Sequence, residues 1–227
     1  MSLNKSFLLT AGLLSASAFG FSGTAAANTV AWITPTPYVP GVCTGIGYEW
    51  AVTASQRASL SFVRRVGAKS WNEVPPFYVA PETGWTHTSD WVKFELTQPA
   101  TVQIKIARQQ GVLLPSVVTD PVSGATSIAY TTAGDQLYPA LSLYSGWEET
   151  GCEDHRYNNS ANFAWAPSLD FIANQPNTAG KATAVLTKWL PAGKYSIVIG
   201  GANVSFCAET DTCYSGFHGY RAQIITK

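Results

Sequence analysis

Few side chains in this sequence can do more than fold. It has three histidines, His87, His155 and His218, and its one methionine is Met1. The four cysteines, Cys43, Cys152, Cys207 and Cys213, show no C-x-x-C or zinc-knuckle spacing, so a thiolate metal site is disfavoured. The most informative short motif is Trp85-Thr86-His87. In an extended segment, residues i and i+2 point to one side about 7 Å apart. Both rings can then face one ligand. His87 offers a neutral ring nitrogen to a borderline-soft metal. The indole of Trp85 is a donor only, and on residue type alone it reads more readily as a core or rim aromatic.

Other groups invite weaker readings. Glu148, Glu149, Glu153 and Asp154 surround Cys152 and His155, and Glu209 and Asp211 lie between Cys207 and Cys213. Such oxygen-rich loops suit calcium, but no ligand spacing is diagnostic and solvated loop charges are the commoner outcome. Glu153 or Asp154 would also serve to orient the His155 ring. Among eight tryptophans, Trp71, Trp147 and Trp165 fall near loop-like segments, where an exposed ring would stack on a sugar. That makes a secreted carbohydrate-binding or surface-adhesion module without a metal the alternative function. H-E-x-x-H, G-x-S-x-G, P-loop and EF-hand patterns are absent, and no carboxylate pair is nominated for hydrolysis. The sequence does not read as an enzyme.

These residues need a scaffold, and composition describes it. The 227 residues are 46% apolar, enough for a hydrophobic core, and 12% charged, with 14 basic and 14 acidic groups. A balanced charge leaves no electrostatic footprint for nucleic acid or an anionic bilayer. Lys5, an apolar run through Leu8, Leu9, Leu13 and Leu14, and the small residues Ala25 to Ala27 read as a signal peptide over 1–27. The mature domain is then 28–227, without a transmembrane segment, secreted or peripherally associated with the cell's outer surface. Export puts the cysteines where disulfides persist. Of three possible pairings, the short separation favours Cys207 with Cys213, leaving Cys43 for Cys152.

Apolar runs alternate with period two. In Trp91-Val92-Lys93-Phe94-Glu95-Leu96, Val92, Phe94 and Leu96 share one face; Thr101 to Ile106 repeats the pattern. Further strands are predicted over 46–54, 58–65, 138–145, 183–189, 195–200 and 220–226, and long loops over 108–137 and 148–164. Many short strands joined by Gly and Pro turns predict an all-β fold, an antiparallel β-sandwich or jelly-roll-like domain with two disulfides. The segment from Trp189 through Pro191-Ala192-Gly193-Lys194-Tyr195 resembles the closing hairpin of secreted pre-peptidase C-terminal sandwiches, a likeness that concerns fold alone.

The Trp85-x-His87 pair, a second histidine far downstream, export and an aromatic-rich sandwich together resemble the surface copper-binding proteins of methane-oxidising bacteria, the MopE and copper-repressible CorA family. The resemblance implies one Cu(I) held by two imidazoles and by a kynurenine made from Trp85, with His87 the first imidazole and copper acquisition the role. It leaves the second imidazole open. His155 is preferred for its distance down the chain and its place beside Cys152, and His218 is the runner-up.

Overall fold

A computed structural model describes residues 27–33, 42–71, 88–119, 124–153, 156–177 and 179–227. The leader expected over 1–27 therefore lies outside the described residues, apart from Ala27. Two sheets face each other. The larger has strand order β1-β2-β4-β11-β8-β9 and the smaller β10-β5-β12-β3. The strands run β1 Thr29–Trp32, β2 Trp50–Ala54, β3 Ser59–Gly67, β4 Asp90–Leu96, β5 Ala100–Arg108, β6 Leu113–Thr119, β7 Thr126–Thr132, β8 Pro139–Ser145, β9 Asp170–Gln175, β10 Thr183–Leu190, β11 Gly193–Gly201 and β12 Phe217–Thr226. Pairing is antiparallel throughout the two sheets except between β2 and β4, which run parallel.

Alternation produces the core between the sheets. Val92, Phe94 and Leu96 of β4 meet Val102, Ile104 and Ile106 of β5, with Tyr220, Ala222 and Ile224 of β12 beside them. Each fully buried residue of this size contributes roughly 1.5–3 kcal/mol through removal from water. Strands β8 and β11 lose the alternation, because both of their faces are covered. The second cover is an aromatic cluster on the outer face of the larger sheet: Tyr48, Trp71, Trp91, Tyr144, Tyr157, Phe163 and Trp165. The segments 42–48, 146–153 and 156–169 supply much of this layer. The first two are joined by the Cys43–Cys152 disulfide and by backbone bonds from Gly45 N to Gly151 O and from Ile46 N to Glu148 O.

Both disulfides pair as the spacing favours, Cys43 with Cys152 and Cys207 with Cys213. The eight predicted strands all form, although β2 starts at Trp50 rather than at residue 46. The expected loop over 108–137 is corrected: it contains β6 and β7, paired with each other outside the two main sheets. Strand β7 is exposed along almost its whole length, so it carries no inside-outside pattern to read. Strands β1 and β9 were also not anticipated. Both are sheet edges, and β9 is half-buried and rich in amide side chains.

Candidate metal centre

Trp85 and His87 fall within residues 72–87, and His155 within 154–155, outside the described residues. Their flanks are well defined. Before the first segment, Trp71 is fully buried in the outer-face cluster and its N–H donates to Gly201 O at 3.0 Å. After it, the Thr88 carbonyl accepts from Gly67 N at 2.9 Å, at the end of β3. Four residues beyond His87, Trp91 points to the outer face and joins the aromatic layer. Two residues beyond His155, Tyr157 packs on that same indole, ring centroids 6.0 Å apart. The Tyr157 hydroxyl donates to Glu153 Oε1 at 2.5 Å, and its ring also meets Trp165 edge-on at 5.3 Å. Trp91 and Tyr157 thus meet on the outer side of the larger sheet.

His218 is placed differently. It faces the interior of the sandwich, 3% exposed, opposite Val66 of β3. Its Nδ1 accepts from Gln136 N at 3.3 Å and its Nε2 donates to Ser215 O at 3.2 Å, so both nitrogens have protein partners. Gly134 lies against the ring so closely that a Cβ there would overlap it. Burial lowers the His218 pKa, outweighing the Ser215 carbonyl that raises it, and favours the neutral ring.

The loop carboxylates are engaged by the protein. Glu148 accepts from the backbone N–H groups of Thr150, Gly151 and Ser168 at 2.9, 2.7 and 3.3 Å. Burial pushes its carboxyl up, and these donors outweigh that and leave it below the ordinary range. Glu149 pairs with Lys93, Glu209 accepts from the Tyr214 hydroxyl and Asp211 from Ala208 N. Among the described residues no three His, Cys, Asp or Glu side chains form a metal-holding group. Asp154 lies outside them. All four cysteines are in disulfides, which removes thiolate from the donor set.

The tryptophans offered for sugar stacking do not form an exposed platform. Trp71 and Trp165 are core residues, 0% and 8% exposed. Trp147 is half-buried, its indole donates to Tyr195 O at 2.9 Å, and the ammonium groups of Lys93 and Lys194 lie over its ring. Among the described residues the exposed tryptophans are instead Trp189, 67% exposed, and Trp32, 46%.

One constellation has no sequence signal. Glu49 and Asp90, 41 positions apart, share the mouth of the sandwich with Arg64 and Tyr220. Asp90 is 4% exposed; it accepts from the Tyr220 hydroxyl at 2.5 Å and its Oδ1 is 3.4 Å from Arg64 Nη1. Glu49 Oε2 accepts from Trp91 N at 2.6 Å. Desolvation raises both carboxyls, Glu49 further because Asp90 repels its charge, while Arg64 and Tyr220 hold Asp90 down. Only the fold brings these four residues together.

The chain is similar in structure to copper-binding surface proteins of methanotrophs. One is CorA, a surface-associated copper-binding protein important in Methylomicrobium album BG8 copper acquisition. The likeness has a TM-score of 0.44 at 15% identity, over 78% of this chain and 100% of that one. Another is the Methylococcus capsulatus secreted protein MopE, in which an oxidized tryptophan facilitates copper-binding, with a TM-score of 0.38 at 11% identity, over 88% and 94%. A third is the pre-peptidase C-terminal domain of a collagenase from Bacillus anthracis, 0.30 at 9%, over 77% and 93%. No protein-family model and no curated protein sequence matches the chain.

Proposed function

We propose that this protein is an exported, non-enzymatic copper-binding protein that captures one Cu(I) through His87, His155 and a kynurenine formed from Trp85. The observation that carries the reading is the Trp91–Tyr157 contact. Four residues of chain span at most about 14 Å and two at most about 7 Å, so a 6.0 Å contact between the flanking rings is compatible with both imidazoles reaching one ion. The donor chemistry supports it. Thioether is confined to Met1 and every cysteine is oxidised, which leaves imidazole as the soft-metal donor. Converting the indole of Trp85 to an arylamine would add a nitrogen donor two positions from His87. The described flanks supply rigidity: Thr88 is tied to β3, and Cys152 is tied to Cys43 three residues before His155.

The burial of Trp71 and Trp165 counts against the sugar-stacking alternative. Intact mass together with copper analysis tests the proposal. Oxidation of Trp85 by dioxygen, followed by hydrolysis that releases the ring carbon as formate, adds one oxygen and removes one carbon, and that mass is expected in protein that keeps copper through dialysis. Trp85→Phe protein should show neither the mass change nor the retained metal. Unmodified Trp85 in copper-free, dialysed protein that has been offered copper would defeat the proposal.

A further inference from the structure

The sandwich opens along the side where β1 and β3 are edges. A cavity of about 350 Å³ there is lined by Trp32, Trp50, Val63, Arg64, Arg65 and Pro115. A smaller one of about 240 Å³ shares Arg64 and Arg65 with it and reaches Glu49, Asp90 and Phe217. The combined space is within the range of small-molecule sites. Its walls are apolar and flat: Trp32 and Trp50 are cross-strand partners whose rings meet edge-on at 5.2 Å, with Val63 and Pro115 beside them.

The polar groups on this wall are donors. Arg64 lies 3.8 Å from the Trp32 ring centroid, and its Nη1 faces Asp90 without a hydrogen bond. Trp50 Nε1 is buried, makes no close hydrogen bond, and helps Arg64 and Tyr220 hold the Asp90 carboxyl down. Arg65 donates to Thr131 Oγ1 at 3.2 Å and lies over Phe217 at 4.9 Å, and among the described residues no carboxylate is within ion-pair distance of it. Arg64 balances Asp90, and Glu49, buried beside a like charge, favours its neutral form. Arg65, beyond ion-pair distance of Asp90 but acting on it at longer range, adds a second positive charge beside the apolar slot.

We propose that this cavity binds a small aromatic carboxylate, its ring against Trp32 and Trp50 and its carboxylate on Arg65. A guanidinium matches a carboxylate with two parallel N–H donors, and indole edges and faces accept a flat ring. This site is independent of the copper reading.

The full, disulfide-intact protein should be titrated with naphthoate, with naphthoic acid methyl ester and with naphthylmethylamine, following tryptophan fluorescence and heat. The expected result is one-to-one saturable binding of naphthoate, with the ester and the amine weaker by roughly tenfold or more, the worth of a charge-assisted hydrogen bond. Arg65→Gln should weaken naphthoate roughly tenfold and leave the ester unchanged, while Trp32→Ala should weaken both and neither should alter copper content. Should Arg65→Gln fail to fold, Trp32→Ala and the ester comparison carry the test. Equal affinity for acid and ester, undiminished naphthoate binding by Arg65→Gln, unchanged binding by Trp32→Ala, or no saturable binding would each overturn the proposal.

Discussion

Removing the Cys43–Cys152 disulfide should cost far more stability than removing Cys207–Cys213. The first joins residues 109 positions apart and the second residues six apart. A cross-link removes conformational freedom from the unfolded chain in proportion to the logarithm of the loop it closes. For these separations that loss is about 4.8 and about 2.4 kcal/mol at 25 °C, a difference of about 2.4 kcal/mol. Packing should widen the gap, because the long-range bond ties segment 42–48 to segment 146–153 in the layer over Trp91 and Tyr144, whereas the short one closes a surface turn. The assay is urea unfolding of Cys43→Ala/Cys152→Ala and Cys207→Ala/Cys213→Ala proteins, followed by tryptophan fluorescence. Equal losses, or a greater loss from the short loop, would refute the claim that the outer layer is held by its cross-link.

The Glu49–Asp90 pair sets a pH dependence. Both carboxyls are raised in the folded state, Glu49 to about 8, so the native protein holds more protons than the unfolded chain between about pH 4 and about pH 8. Stability from this pair is therefore present at the acid end of that window and is lost as pH rises through it. Thermal unfolding should show a melting temperature that falls between about pH 5 and about pH 8, and Glu49→Gln should flatten the slope. Gly67→Ala should lower copper retention as well as stability, since a Cβ at this position would overlap the Thr88 side chain and displace the chain that leads back to His87. Copper analysis after dialysis checks this, with Gly111→Ala, where a Cβ meets no neighbour but the left-handed backbone (φ 66°) is strained by a side chain, as a destabilised control that should retain copper.

The sandwich was legible because its central strands obey one rule. Where one face is buried, as in β4 and β5, alternation marks the strand, and the turns fall at Gly and Pro. The rule fails at β7, where nearly every side chain meets water, and at β9, whose amide-rich residues are half-buried at an edge. Trp71 and Trp165 were readable as either platform or core, because aromatic residue type fits both; the second layer over the larger sheet decides it. The Trp85-x-His87 pair is local and visible as spacing. The Glu49–Asp90–Arg64–Tyr220 cluster gathers residues from four separated parts of the chain and leaves no trace in spacing.

Copper retained after dialysis by His87→Ala, His155→Ala and His218→Ala proteins tests the central claim most directly. The account predicts that the first two lose the ion, and that His218→Ala, whose ring nitrogens serve Gln136 and Ser215, keeps it while unfolding more readily. Loss of copper from His218→Ala with full retention by His155→Ala would contradict it.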